Sequence, residues 1–237
     1  MNMLMKKIYY CFLLLPLILS ASCTMMVKTI AKSAAKGYDD HVDLQINQLK
    51  LVDTLGKTAS FEQLYTGKTV YLYTWKSPIL LPPDDKDLLY KGLKDRFAKY
   101  EDVVFINLYT GNKDEDWKLI HGLQQKNVKA FRLAEDPANA AFRELYSIST
   151  SPQIVSKDGH ILGFKGPLPS DKLVVDYALY QARNGMDATS STKILIKGVN
   201  KEERLSTEEL KSWYSTHFGK DPNEKINASI SNKGSDN

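Results

Sequence analysis

Cysteine is nearly absent from this 237-residue chain: Cys11 and Cys23 are its only two, and both lie within the first 23 residues. No thiol follows, so the rest of the sequence can form no disulfide, no thiolate nucleophile and no Cys-x-x-Cys pair. Long apolar runs are equally scarce. The main one, from Ile8 to Leu19, falls short of the roughly 20 residues that a spanning helix needs and is interrupted by Pro16. Excess charge is missing too: the formal net charge of +4 falls to +2 once residues 1–22 are set aside, because Lys6 and Lys7 leave and no acid does. Nothing marks a nucleic-acid surface, and no nucleic-acid partner is expected. The four histidines, His41, His121, His160 and His217, are scattered without metal-ligand spacing and are expected at turns or facing solvent. There is no Gly-rich phosphate loop, nucleophile elbow or zinc motif. The acidic groups Asp39-Asp40, Asp84-Asp85 and Asp114-Glu115-Asp116 read as a linker and two helix starts rather than acid/base pairs.

What is present begins with two lysines, the apolar run and the small-residue exit Ser20-Ala21-Ser22 before Cys23, the order of a secretory signal. The stretch resembles the lipobox of bacterial lipoproteins, although Ser20 stands where leucine is usual, with Leu19 one step earlier. The resemblance implies cleavage after Ser22 and acylation of Cys23 (palmitate-type), which ties the chain to a membrane of the bacterial cell envelope. The periplasmic side of the outer membrane is the simplest location, and the cell surface is the other. Each buried methylene of such an anchor contributes about 0.8 kcal/mol. An ordinary secretory signal with an incidental cysteine is the alternative. The expected organisation is a signal peptide at 1–22, a lipidated N-terminus and linker at 23–40, a main domain at 41–185, an extension at 186–222 and a disordered polar tail at 223–237.

Within the main domain, Val42, Leu44 and Ile46, then Leu49 and Leu51, alternate as in one or two short strands before a turn at Gly56. Ser60 and Gln63 have capping-box spacing for a short helix closed by Gly67. Thr69 to Trp75 is rich in Val, Tyr and Thr and reads as a central strand. Asp84 and Asp85 open a helix expected to turn Leu89, Leu93, Phe97 and Tyr100 inward. Residues 102–109 form a parallel strand, Asp114 to Gln125 a helix with Trp117, Ile120 and Leu123 inward, and 128–133 a short strand. Asp136-Pro137 starts a further helix with Phe142, Leu145 and Tyr146 on its apolar face. Lys157-Asp158-Gly159-His160 predicts a type I′ hairpin, and Ser170 to Arg183 a last helix. Farther on, Thr192 to Ile196 fits an extra strand, and Ser206-Thr207-Glu208-Glu209 opens a helix carrying Leu210, Trp213 and Tyr214. Tyr71, Tyr73, Tyr109 and Trp117 are expected in the core. The alternation of strands and helices predicts an α/β layered domain.

Residues 42–183 resemble the thioredoxin-like superfamily, and within it the membrane-tethered thiol-disulfide oxidoreductases of the bacterial envelope and their peroxiredoxin-like relatives. The carriers are GKTVYLYTWKS, DEDWKLI and FRELYSISTSPQIVSKDGHIL. The resemblance implies an α/β thioredoxin-like fold: a central mixed β-sheet flanked by helices, with an N-terminal strand pair and a small C-terminal extension. It makes Pro152 the family's cis-proline, preceded by Ser151. It also places a Cys-x-x-Cys where this chain has Ile79-Leu80-Leu81-Pro82. Both sulfurs are missing, so neither dithiol exchange nor thiol peroxidase chemistry can run there.

The candidate binding loop is Trp75, Lys76, Ser77, Pro78, Ile79, Leu80, Leu81 and Pro82. It reads either as an apolar groove for an extended peptide, with β-augmentation along the strand after Pro152, or as a loop packed beneath the C-terminal extension. No catalytic residue, cofactor or metal is expected. The expected function is a redox-inactive envelope lipoprotein that binds or assembles a protein or peptide partner at the membrane. The alternatives are a thiol-disulfide oxidoreductase or peroxiredoxin-type antioxidant, as the family label suggests, and a carrier or sensor for a small ligand in the groove.

Overall fold

The computed structural model describes residues 37–39, 44–76, 88–111, 113–117, 129–145 and 151–226. The signal segment, Cys23, His41, His121, Ile120, Leu123, Tyr146 and most of the polar tail lie outside them. No helix among the described residues is long and apolar enough to cross a membrane.

The sheet grows around strand β3 (Thr69–Trp75), whose apolar residues on both faces demand cover on both sides. Strand β4 (Val103–Tyr109) pairs with it in parallel from Thr69↔Val103 to Trp75↔Tyr109, after a return through helix α2 (Leu88–Phe97). Strand β5 (Lys129–Leu133) adds in parallel beyond β4. On the other side, β6 (Pro152–Val155) pairs antiparallel with β3, and β7 (Ile161–Gly163) antiparallel with β6. The early strand pair β1 (Lys50–Val52) and β2 (Thr58–Ser60) joins through β1 to β5. The order is β2-β1-β5-β4-β3-β6-β7. A parallel β3-α2-β4 crossover, an antiparallel β6-β7 hairpin beside β3 and a closing helix make this the thioredoxin-like topology that the resemblance implies.

Two apolar layers sandwich the sheet. One holds Phe61 and Tyr65 of helix α1 (Phe61–Tyr65) and Phe142 of helix α3 (Ala140–Leu145) against Leu72, Ile106 and Leu108. The other holds Tyr90, Leu93 and Phe97 of α2 and Val175, Ala178 and Leu179 of helix α4 (Leu173–Ala182) against Tyr71 and Ile154. α4 is buried on almost every side because a third cluster covers its back. There Leu173, Val174 and Tyr177 meet Leu195 of helix α5 (Ala188–Lys197), and Leu210, Trp213 and Tyr214 of helix α6 (Glu208–Phe218).

Local chemistry explains most boundaries. The Ser60–Gln63 capping box starts α1, and the Thr207 side chain accepts from the Leu210 amide at the start of α6. Asp136 caps the 3-10 turn that leads into α3. Four expectations are corrected. Residues 192–196 lie in helix α5, not a strand: Asp187 accepts from the Ser190 amide, the Ser191 and Thr192 hydroxyls fold back on Asp187 and Ala188 carbonyls, and Leu195 and Ile196 are buried. The β6-β7 turn has positive φ only at Gly159 (84°), and the Gly159 amide bonds the Ser156 carbonyl, so it is a type I turn with a glycine bulge rather than type I′. α2 turns Tyr90, Leu93 and Phe97 inward and leaves Leu89 about half exposed. His217 is buried rather than solvent-facing.

Both ends of the domain are more tightly held than the composition implies. Tyr38, within the expected linker, is 1% exposed, and its carbonyl accepts from the Phe164 amide. With Ile161 N–H to Leu44 O and Ile46 N–H to Gly159 O, it lines the outer edge of β7. The chain stays packed through Ile226, which sits in the third cluster and bonds the Glu203 carbonyl.

At the lower end of the sheet, opposite Trp75, Asp102 accepts from Arg183 at 2.8 Å and pairs with Lys157 at 2.9 Å. Burial pushes the Asp102 carboxyl up, but the bonds from Lys157 and Arg183 outweigh it and hold it below the ordinary carboxylate range. A depressed folded pKa gives stability that is present above the unfolded value and lost as pH falls through the folded one. Asp102→Asn is therefore expected to cost about 1.5 kcal/mol near neutral pH. In urea unfolding, the gap between the two proteins should shrink as pH falls below the ordinary carboxylate range; a gap of constant size would exclude this role.

Candidate functional site

The upper end of the sheet, where β3 ends and the loop toward α2 begins, is built on aromatic packing. Trp75 is fully buried, with its ring 4.4 Å from that of Tyr109, which in turn stacks on Trp117 at 6.3 Å. The Trp75 carbonyl accepts from the amide and hydroxyl of Thr110, locking β3 to the end of β4. Trp75 Nε1 has no hydrogen-bond partner among the described residues. Tyr109 Oη donates to the Lys113 carbonyl, and burial pushes its phenol up, so it stays neutral. Trp75 is thus buried in the aromatic packing at the end of β3. Lys76 is exposed directly after it, and Ser77, Pro78, Ile79, Leu80, Leu81 and Pro82 lie outside the described residues.

Across from Trp75, the structure brings Ser151 and Pro152 to the same end of the sheet. The Ser151–Pro152 bond is trans, against the cis geometry expected; no cis peptide bond occurs among the described residues. The Ser151 carbonyl is turned into the sheet, where it accepts from the Thr74 amide at 3.2 Å and the Thr74 hydroxyl at 2.7 Å. The Pro152 carbonyl is taken by the Gly166 amide at 2.7 Å. Gln153 bonds the Ser151 side chain through Nε2 and accepts from the Lys165 amide through Oε1. β6 itself lies between β3 and β7, so the expected β-augmentation along the strand after Pro152 has no free edge to use. A partner at this end has to meet side chains and the loop, not the β6 ladder.

The expected core tyrosines are placed accordingly. Tyr71 is fully buried and donates to the Pro167 carbonyl at 2.9 Å, and Tyr73 is half-buried. Among the described residues, no group of three or more His, Cys, Asp or Glu side chains is placed to hold a metal ion.

Sequence reasoning missed the most connected polar cluster, which sits at the lower end of the sheet. Asp176 of α4, 1% exposed, accepts from Arg96 Nε at 2.7 Å and a second Arg96 nitrogen at 2.8 Å. Its Oδ1 also meets His217 Nε2 at 2.8 Å, while His217 Nδ1 meets the Tyr100 hydroxyl at 3.0 Å. Phe97, Tyr100 and Trp213 ring the imidazole. The available signal was spacing: Trp213, Tyr214, His217 and Phe218 share one helical face, which makes His217 a buried histidine.

No protein-family model matches the chain. No curated protein matches it. Solved structures similar to it include a candidate thiol-disulfide oxidoreductase from Bacteroides vulgatus, 18% identical, covering 56% of this chain and 95% of that one at a TM-score of 0.43. A thiol-disulfide oxidoreductase from Bacteroides fragilis is 12% identical, covering 60% and 96% at 0.41. An exposed lipoprotein thioredoxin from Streptococcus pneumoniae is 24% identical, covering 47% and 83% at 0.33.

The two buried β3 threonines give a contrast that tests the upper end. Thr74→Val removes both side-chain bonds to Ser151 and is expected to cost about 1 kcal/mol, with faster hydrogen exchange at the Ser151 amide. Thr69 Oγ1 is buried without a partner among the described residues, so Thr69→Val is expected to be neutral or to stabilise by about 1 kcal/mol. Equal losses in urea unfolding would contradict the assignment.

Proposed function

We propose that this chain is a lipid-anchored, redox-inactive thioredoxin-like protein of the bacterial envelope, acting as a binding or assembly module for a protein or peptide partner. The observation that carries the reading is chemical. The position between β3 and α2 where dithiol exchange would need its sulfurs holds Ile79-Leu80-Leu81-Pro82, and no cysteine occurs after Cys23. Thiol exchange requires a thiolate to attack and a second thiol to resolve the mixed disulfide, and neither group is in the chain beyond that point. The order of Lys6-Lys7, apolar run, small residues and Cys23 supports the anchor.

The loop is the binding element on this reading. Its first residue after the strand, Lys76, is exposed, and Trp75 packs on Tyr109 at the strand end before it. Ile79, Leu80 and Leu81 favour a partner that offers apolar side chains. With the Ser151 and Pro152 carbonyls already satisfied and β6 internal, recognition rests on side-chain contacts rather than strand addition. Reading the chain as a thiol-disulfide oxidoreductase follows the names of its structural neighbours and would require a nucleophile that the loop lacks.

The test places a photoreactive residue at Lys76 in the full membrane-bound chain, with a second at Glu101, exposed at the far end of the sheet. A discrete adduct from position 76 and none from 101 is expected. Equal adducts at both positions would mean that the loop is packed rather than docking. Thiol-dependent turnover of a disulfide or peroxide by the purified chain would overturn the redox-inactive reading, and membrane association that is unchanged by Cys23→Ser would overturn the anchor.

A further inference from the structure

The polar cluster at the lower end of the sheet has the arrangement of a hydroxyl nucleophile, a base and an orienting acid. Tyr100 Oη lies 3.0 Å from His217 Nδ1, and His217 Nε2 lies 2.8 Å from Asp176 Oδ1. With the imidazole proton on Nε2, where the carboxylate can only accept, the Nδ1 lone pair faces the phenol. Asp176 is fixed in turn by the two bonds from Arg96, and His217 by rings on several sides. Acid and base are buried, while Tyr100 is half-buried. The Arg183 guanidinium stands 4.3 Å from the Tyr100 ring centroid and Lys99 Nζ 5.3 Å. Both cations lie over the phenol ring and make its surroundings electropositive.

We propose that Tyr100, His217 and Asp176 form an acyl-transfer relay in which Tyr100 is the nucleophile, His217 the base and Asp176 the residue that orients it, acting on activated acyl esters. In the first step Tyr100 Oη bonds to the ester carbonyl carbon, the phenolic proton passes to His217 Nδ1, and the bond to the leaving oxygen breaks with its electron pair, that oxygen then taking the proton. Water attacks the Tyr100 acyl ester in the second step, again losing a proton to His217, and releases the carboxylic acid with the phenol restored. No oxidant, metal or cofactor is consumed. Burial pushes the Tyr100 phenol up, and Arg183 only partly opposes this, so the proton has to be removed during attack, which is the task a neighbouring base performs. The relay is independent of the loop at the other end of the sheet and of its reading as a docking element.

The experiment treats the full chain with p-nitrophenyl acetate and maps acetylated tyrosines by peptide mass spectrometry. Tyr180, half-buried with its ring 5.9 Å from that of Tyr100, is the internal reference. Tyr100 is expected to acetylate many-fold faster than Tyr180, and His217→Gln, which can keep a hydrogen bond but cannot take the proton, is expected to bring the two to the same rate. Equal rates in the unaltered chain overturn the proposal whether or not the variant folds. A Tyr100 excess that survives in folded His217→Gln also overturns it, by removing the base from the mechanism.

Discussion

One buried carboxylate ties three helices together on one side of the sheet. Asp176 lies in α4, takes both bonds of the Arg96 fork from α2 and shares an oxygen with His217 of α6. A charge with 1% exposure is tolerable only when it is paired, so each helix is positioned by the cost of leaving that carboxylate alone. α2 is the return leg of the β3-α2-β4 crossover, and its placement therefore fixes where the chain re-enters the domain after the loop that follows Trp75. α6 is fixed by the same group, and Lys99 adds bonds to the last carbonyls of that helix. The C-terminal extension is consequently part of the domain's own packing, with Trp213 against Tyr177 of α4.

Much of this was legible from residue order because the local signals agreed with the tertiary result. The Ser60–Gln63 box, the Asp136-Pro137 start, the Thr207 cap and the Val- and Tyr-rich β3 each act through their own backbone neighbours and survive folding unchanged. Misreadings arose where a second interaction decided. The run from Thr192 to Ile196 has strand composition, yet the Asp187 cap and the need to cover α4 make it helical. Lys157-Asp158-Gly159 suits two hairpin turns, and the Ser156 pairing to Gly159 and His160 selects the longer one. Leu89 and Tyr90 were interchangeable on spacing alone; the ring contacts of Tyr90 with Tyr71 and Phe105 choose Tyr90.

The candidate site shows the same division. The absence of thiols after Cys23 was plain from the sequence. The geometry around Pro152 was not, since the bond isomer depends on where the Ser151 carbonyl finds its donors, and here Thr74 supplies two. Nor could residue order reveal that Tyr100, Asp176 and His217 meet: the first follows α2, the second lies in α4 and the third in α6, far apart in the chain. The two ends of the sheet differ in character. The upper end is aromatic and capped by satisfied carbonyls, while the lower end pairs Arg96 with Asp176 and Arg183 with Asp102 and adds His217 as a hydrogen-bond partner of Asp176.

The strip of chain that lies along β7 has a further consequence. An exposed strand edge is a template on which a second molecule can add, and the hazard grows when molecules share a surface and collide in two dimensions. Tyr38, Leu44 and Ile46 occupy the backbone groups of that edge, while the opposite edge, β2, is three residues long with Thr58 and the neighbouring Lys57 exposed. Neither margin offers a run on which aggregation can start. Crowding of many copies is therefore compatible with this fold, because the segment leading in from the N-terminal side also serves as its guard against self-association.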